Sequence, residues 1–432
     1  MDWTILITLV ILMVFLMLGG IHIAFALGIV GIIGIYVDLG KNLYCIQSII
    51  WDATSGYTLA VLVYFILMGE VLLVGNISSR LYDSAMRWTN RLPGGILHVN
   101  IIGASIFAAV TGVSVATCAS LGRIAAVEGN KRGVPIRENL GSLGGGATLG
   151  ILIPPSIIFI LYGILTEQSI GQLFMAGILP GIMMTLIFMT YIAFRSILLP
   201  DLIPRDTTRF TWAERFAGLV KVLPIFLLIV VVLGMIYVGW ATPNEAGGIG
   251  AFFSFLLCLV YREFKWKELW GALERTACIT SMIMFLIIGA KIFTYYIANI
   301  RLPHLFAQWI INTGFSFPVI FILICIAYII LGMFIDSFSI VILTLPIVYP
   351  VISEFKYDPI LFGVIVVILI ETGLISPPYG INLYVLDGVT GGGHLDDIIK
   401  GIIPYFFLLI LGIVIVYFLP EIALWLPRKM IS

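Results

Sequence analysis

Long apolar stretches separated by short polar breaks recur along the chain from Trp3 to Leu426. Backbone amides inside a lipid bilayer need partners within their own segment, and alternating strand patterns are absent, so these stretches are predicted to be helices. The pattern therefore predicts an all-α polytopic membrane protein. The candidate helical runs are residues 3–18, 21–37, 57–75, 95–128, 140–163, 173–194, 217–239, 244–261, 277–297, 318–350, 360–386 and 402–420.

Two uncharged runs are too long for a single crossing. A membrane-spanning helix needs roughly 20 residues at about 1.5 Å per residue, whereas Leu92 to Gly122 and Leu305 to Ile335 each exceed that length. The polar cluster Thr111-Gly112-Val113-Ser114 interrupts the first run, and Asp336-Ser337 follows the second. A re-entrant helical hairpin is the better interpretation of each, at about residues 93–128 and 318–350.

An internal repeat relates the two hairpins. The chain has two Pro-Pro pairs 223 residues apart, and a glycine lies four residues before the first proline of each pair. The same offset superposes the two polar clusters. We therefore predict two similar halves, residues 1–200 and 216–432, joined by a linker at 201–215, with proline-broken helices at about 140–163 and 360–386.

The charges near the hairpins indicate that the two halves are inverted. Seven basic residues flank the first hairpin, whereas the second has only Arg301 and Lys356. Because cytoplasmic loops carry an excess of Lys and Arg, the hairpins are expected to enter from opposite sides, with a cytoplasmic linker and both termini outside. Inverted repeats with broken helices are typical of secondary transporters, which bind their substrates near the midplane.

Composition excludes several other classes. Hydrophobic residues make up 61% of the chain and charged residues 11%, too few charges to cover a soluble domain of this size. The 23 basic and 23 acidic residues balance, so no net field favours nucleic acid. Motifs for ATP, dinucleotides or catalytic zinc are absent, and no organic cofactor is expected.

The two helix breaks are predicted to form the functional site. Proline lacks an N–H group, so each Pro-Pro pair leaves carbonyl oxygens without helical donors. A sodium ion is one possible partner for them, and a kink filled by side chains or water is the structural alternative. The symmetric pair beside polar hairpin tips favours binding of substrate and ion, by Thr111, Gly112, Ser114, Thr117, Gly150, Pro154, Pro155, Asp336, Ser337, Thr372, Gly373, Pro377, Pro378 and Asn382.

Charged residues inside apolar segments are a second signal: Glu70, Glu245, Lys291, Asp336 and Glu371. Glu245 follows a proline at a helix start, where capping is the favoured interpretation. Lys291 lies near a helix end and can extend its amine towards the membrane surface. Asp336 is the sharpest candidate for ion binding, although capping of the following helix competes with that role.

An intramembrane serine hydrolase is a remote alternative. Ser114 and His98 lie in the same predicted hairpin and would be its dyad. The chain lacks the Gly-x-Ser-x-Gly turn that exposes such a nucleophile, so an enzyme is not expected.

Several sequence blocks carry a family resemblance, in the order Gly144 to Phe159, Ser169 to Gly181, Thr242 to Ala246, Gly332 to Ser337 and Glu371 to Tyr384. Together these blocks strongly resemble the large membrane subunit of tripartite ATP-independent periplasmic (TRAP) transporters, the DctM-like family. The resemblance extends over essentially the whole chain.

The resemblance implies a sodium-coupled importer in the bacterial inner membrane, with Na⁺ as the coupling ion. It implies an organic anion as substrate, either a carboxylate or an acidic sugar, delivered by a soluble periplasmic binding protein. It also implies a small membrane partner of about four helices, expected here as a separate chain, and elevator movement of a unit that contains both hairpins. A stand-alone sodium/carboxylate symporter of related hairpin fold is the alternative.

Overall fold

A computed structural model describes residues 3–40, 43–74, 77–200, 210–260, 265–312 and 314–430 of the chain. Within these ranges the regular secondary structure is entirely helical. The helices are α1 (Trp3–Leu18), α2 (Ile23–Ile33), α3 (Tyr44–Ser55), α4 (Ala60–Val74), α5 (Ile77–Thr89), α6 (Ile96–Thr111), α7 (Ser114–Lys131), α8 (Ile136–Leu152), α9 (Ile157–Thr166), α10 (Ile170–Leu198), α11 (Trp212–Val238), α12 (Pro243–Val260), α13 (Trp266–Asn299), α14 (Leu302–Asn312), α15 (Phe317–Phe334), α16 (Ser337–Glu354), α17 (Pro359–Leu374), α18 (Ile381–Val389), α19 (Leu395–Phe418) and α20 (Glu421–Arg428).

The prediction of an all-helical polytopic membrane protein is confirmed. Eight of the described helices are long and apolar enough to cross a bilayer. The bent pair α8 and α9 is also long and apolar enough if the two helices form one span. The predicted hairpin regions, at about residues 93–128 and 318–350, each fold as two helices joined by a short turn, α6 with α7 and α15 with α16.

Both Pro-Pro pairs interrupt helices. The first pair separates α8 from α9, which are bent by 40° relative to each other, and the second lies between α17 and α18. Both Pro-Pro peptide bonds are cis. Glycines in front of each break let a hairpin approach closely: Gly150 packs against Ala108 of α6, and Gly373 packs against Gly332 of α15.

The two hairpins make corresponding contacts. The first arm of each hairpin packs on the helix that precedes the next break along the chain, α6 on α8 and α15 on α17. The second arm packs on the helix that follows the other break, α7 on α18 and α16 on α9. Each break is therefore contacted by arms of both hairpins.

A second group of helices packs beside the hairpins. Helix α13 lies along α2, α3 and α4, and α12 lies between α4 and α11. Small residues allow the closest approach, because Gly289 of α13 lies directly against the backbone of Ala24 in α2.

Four helices lie outside the predicted helical runs, although α14 falls mostly within the uncharged stretch Leu305 to Ile335: α3, α5, α14 and α20. Polar and charged side chains interrupt these segments, as Arg80, Asp83 and Arg87 do in α5. Apolar run length cannot detect a helix with only one apolar face.

Of the predicted linker at 201–215, residues 201–209 lie outside the described part of the chain. Its last part forms the start of α11, where Thr211 and Glu214 cap the helix reciprocally. The two ends of the chain, residues 1–2 and 431–432, also lie outside the described ranges. The orientation of the termini stays a prediction.

Candidate functional site at the hairpin tips and helix breaks

The first hairpin turns at Gly112, whose φ of 66° is a left-handed conformation that favours glycine. The Thr117 hydroxyl donates to the Val113 carbonyl at 3.1 Å, and the Thr111 hydroxyl lies 3.4 Å from the same oxygen. Both threonines therefore bond to the backbone of their own turn, which is the common behaviour of a hydroxyl in a membrane helix.

This first tip lies against the first helix break. A Cβ atom added to Gly112 would lie 3.4 Å from both the Pro155 carbonyl oxygen and the Ile157 amide nitrogen. Pro154 and Pro155 are buried, and Ser156 caps α9 by accepting from the Phe159 amide at 3.4 Å. The structure thus brings the predicted residues of the first hairpin and the first break together.

The second tip lies against the second break. The rings of Phe334, at the end of α15, and Tyr379 pack with their centroids 5.2 Å apart and their planes tilted by 34°. Pro378 and Tyr379 are exposed, unlike the buried first Pro-Pro pair, so the two breaks differ in how far they reach the protein surface.

Asp336 caps the helix that follows it. Its Oδ1 atom accepts from the amides of Phe338 and Ser339 at 3.0 and 3.1 Å. Asp336 therefore forms the helix cap that the sequence suggested, and its role in ion binding stays a prediction. Ser337 is buried beside it, and the buried Ser339 hydroxyl has no hydrogen-bond partner within the described part of the chain.

The first tip also reaches the second break. The Asn382 side chain, at the start of α18, donates from Nδ2 to the Ser114 hydroxyl at 3.3 Å across 268 residues of sequence. Both side chains are fully buried. The Asn382 Oδ1 atom has no hydrogen-bond partner among the described residues.

Glu371 belongs to this same site, although the predicted site residues include only its neighbours Thr372 and Gly373. Glu371 is 1% exposed and lies on α17 directly before the second break, where Asn382 contacts Ser114. In the described ranges, however, neither carboxyl oxygen has a hydrogen-bond partner of good geometry. The available sequence signal was an acid in an apolar helix directly before Thr372-Gly373 and the Pro-Pro break.

The Thr372 hydroxyl is engaged by its own helix. Its hydroxyl donates to the Ile368 carbonyl at 2.7 Å. Ser376 likewise donates to the Thr372 carbonyl at 2.7 Å. The buried polar cluster is therefore defined by Ser114, Glu371 and Asn382, which we call the central cluster.

Two of the other charged residues in apolar segments, Glu70 and Glu245, have structural partners. Glu70 pairs with Arg275, with 2.6 Å between Oε2 and Nε. Glu245 accepts from the amide and the hydroxyl of Thr242, both at 2.8 Å, as predicted for a cap. Lys291 is exposed on α13.

The crevice beside Pro154 cannot hold an ion. This cavity of about 560 Å³ lies between α6, α10 and α11, and its lining is almost entirely apolar. Two of its three hydroxyl-bearing residues bond to their own helices, because Ser105 donates to the Ile101 carbonyl and Thr185 to the Gly181 carbonyl; the third is Tyr237.

A serine hydrolase dyad does not form. His98 lies 13 residues before Thr111 on α6, about 20 Å along the helix. Its Nε2 atom is 2.7 Å from the Pro93 carbonyl oxygen, whereas Ser114 contacts Asn382. Among the described residues, no three His, Cys, Asp or Glu side chains are grouped as metal ligands.

The fold and these paired breaks define a polytopic membrane transport protein rather than an enzyme. Residues 9–422 match the family model of the tripartite ATP-independent periplasmic transporter, DctM component, and the chain belongs to this family. It is therefore the large permease component of a TRAP transporter.

Named relatives agree with this assignment. The C4-dicarboxylate TRAP transporter large permease protein DctM of Pseudomonas aeruginosa is 34% identical over 407 residues, covering 93% of this chain and 94% of the relative. The 2,3-diketo-L-gulonate TRAP transporter large permease protein YiaN of Escherichia coli is 32% identical, covering 96% of each chain.

A solved structure supports the fold. The crystal structure of the Alcanivorax borkumensis YdaH transporter, described as having an unusual topology, matches with a TM-score of 0.62 at 15% identity, covering 91% of this chain and 90% of that one. At this identity the similarity supports the shared fold only.

Proposed function

We propose that this protein imports an organic anion, a carboxylate or acidic sugar, into the bacterial cytoplasm by sodium symport. A periplasmic binding protein delivers the substrate, and a small four-helix membrane subunit completes the transporter. The family description names a tripartite system, and the two relatives above are named for anionic substrates, a C4-dicarboxylate and 2,3-diketo-L-gulonate.

The observation that carries the proposal is the central cluster. It is a buried group of side-chain oxygens where the tip of one hairpin meets the opposite helix break. Polar groups enclosed by apolar helices are costly unless they have partners. A hard cation satisfies several oxygens at once, including the carbonyls that the prolines leave without donors.

The contact pattern supports an inverted-repeat elevator. The second arms of both hairpins cross to the other half, so movement of α6–α9 with α15–α18 would carry both breaks together. In this proposal the halves are residues 1–200 and 216–432, and the unequal charges at the hairpin flanks orient both termini towards the periplasm.

The test is uptake into proteoliposomes that contain this chain with its small subunit. Radiolabelled C4-dicarboxylate and diketogulonate serve as probes, with the cognate binding protein outside. Uptake should require an inward sodium gradient and the binding protein together, and an equal potassium gradient is the matched control. Equal uptake with potassium would contradict sodium coupling, and equal uptake without the binding protein would favour a stand-alone symporter.

A further inference from the structure

One arginine at the start of α11 is buried without a counter-charge. Arg215 is 8% exposed, and its Nε and Nη2 atoms have no hydrogen-bond partner among the described residues. A guanidinium group is always charged, and a buried charge without a partner is costly. The buried Glu138, by contrast, pairs with Arg195 at 2.7 Å. Arg215 therefore calls for an anion that the described part of the chain does not supply.

The two acids of the neighbouring segments are engaged elsewhere. Asp83 forms an ion pair within α5, with 2.8 Å between its oxygen and the cationic nitrogen. Glu214 accepts from the amide and the hydroxyl of Thr211, at 2.7 and 2.9 Å, in the cap of α11. The described segments 77–95 and 210–222 hold five basic residues beside these two acids. The local surplus is positive and favours an anionic partner.

Three aromatic side chains lie beside Arg215, where α5 packs on α11. The Arg215 guanidinium carbon lies 5.1 Å from the ring centroid of Trp212, and the Trp88 indole nitrogen donates to the Arg215 carbonyl at 3.3 Å. The rings of Phe216 and Trp88 meet edge to face, with 5.9 Å between their centroids. Although Arg215 is buried, these three aromatic residues are 38–66% exposed. We call the four residues the Arg215 site.

The Arg215 site lies at the depth of the lipid headgroups. Helix α11 has 27 residues and is therefore about 40 Å long, whereas the hydrocarbon core of a bilayer is about 30 Å thick. Its first turn, which contains Arg215, thus reaches the interface, where tryptophan is enriched. In the proposed orientation this end faces the cytoplasm, and the cytoplasmic leaflet carries anionic lipids.

We propose that the Arg215 site binds the phosphate group of an anionic phospholipid in the cytoplasmic leaflet. The two unpartnered atoms, Nε and Nη2, lie on one edge of the guanidinium group, and such an edge donates two parallel hydrogen bonds to a phosphate. Both atoms are enclosed, so the Trp212 ring must turn aside to admit the phosphate. The exposed rings then pack on the glycerol and the first methylene groups of the lipid.

The surroundings favour this lipid over other phosphates. A free phosphate ion would neutralise the guanidinium group but leave the apolar rings without a partner. A zwitterionic lipid would add an amine to a site that already has a basic surplus. The site also joins α5, which leads into the first hairpin, to α11, so a bound lipid should stabilise that attachment. Sodium coupling is not needed for this inference.

The direct test counts bound lipid. The purified complex of this chain with its small subunit, in detergent, is titrated with phosphatidylglycerol or with phosphatidylcholine of the same acyl chains, and native mass spectrometry measures occupancy. Wild type should bind phosphatidylglycerol more tightly, and added inorganic phosphate should not displace it. Arg215→Gln should weaken this binding about tenfold or more, because hydrogen bonds to a charged group are lost.

The matched control is Arg91→Gln, which removes the same charge from an exposed position in the turn after α5. This variant should weaken binding no more than about fivefold, the effect of one charge near the membrane surface. The melting temperature gives a second readout: phosphatidylglycerol should raise it in wild type and in Arg91→Gln but not in Arg215→Gln.

Four results would overturn the lipid site. Equal weakening in the two arginine variants would reduce it to diffuse surface charge. Displacement of the lipid by inorganic phosphate would show a site for a free anion. Loss of the small subunit from Arg215→Gln, with lipid binding unchanged, would make an acidic side chain of that subunit the partner. If Arg215→Gln fails to fold, wild type decides, since equal affinity for the two lipids refutes the proposal.

Discussion

The closest approach between the second hairpin and its break is made by two glycines, and replacing one of them tests whether that contact positions the site. A Cβ atom on Gly373 would lie 2.6 Å from the Gly332 Cα atom and 3.1 Å from the Ile329 carbonyl oxygen. Ordinary contacts of a Cβ atom begin at 3.4 Å. In Gly373→Ala, α15 must therefore shift by at least about 0.8 Å from α17, in the segment that leads to Asp336.

The change in stability expected for Gly373→Ala is the balance of two opposed effects. Overpacking of a well-packed contact costs about 1–3 kcal/mol. Alanine in place of glycine in a helix returns at most about 1 kcal/mol. Gly388 in α18 is the matched control, because an added Cβ atom meets nothing within 4 Å there. We expect Gly388→Ala to be neutral or stabilising, and Gly373→Ala to be less stable than this control by about 1–3 kcal/mol.

Melting temperature of the purified complex gives the first readout, and the sodium concentration for half-maximal uptake gives the second. Gly373→Ala should melt earlier than Gly388→Ala and need more sodium, because the second tip is displaced from the break. Equal melting temperatures and equal sodium dependence in the two variants would refute the requirement for this close approach.

Three other substitutions and one fusion test separate parts of the site and the topology. Asp336→Ala should lose about 0.5–2 kcal/mol of stability because the Phe338 and Ser339 amides lose their acceptor. Asp336→Asn retains a cap and should melt like wild type while requiring more sodium; an unchanged requirement would limit Asp336 to capping. Ser114→Ala should weaken sodium-dependent uptake while assembly with the small subunit, followed by copurification, persists. A reporter that is active only in the cytoplasm, fused after Ser432, should be silent, and strong activity would reverse the proposed orientation.

Local chemistry explains what was predictable from the sequence. Apolar run length alone predicts most of the helices, because hydrocarbon leaves the backbone no other partners. The two Pro-Pro pairs mark both helix breaks, since proline ends a helix through its own missing N–H and ring, whatever surrounds it. The cap formed by Glu245 was also predictable, because its partner Thr242 lies only three residues away in the sequence.

The composition of the central cluster was decided by tertiary structure. Ser114 and Asn382 are separated by 268 residues, and no local pattern relates them. The predicted internal repeat pairs the first tip with the first break, and the packing of α7 on α18 places Ser114 of the same tip at the second break as well. Glu371 was visible in the sequence only as one of five charges in apolar segments. The fold distinguishes two of these acids. Glu70 pairs with Arg275, whereas Glu371 is buried with no counter-charge in the described structure. Burial and pairing are properties of packed helices, so only the packed chain shows which acid is buried without a partner.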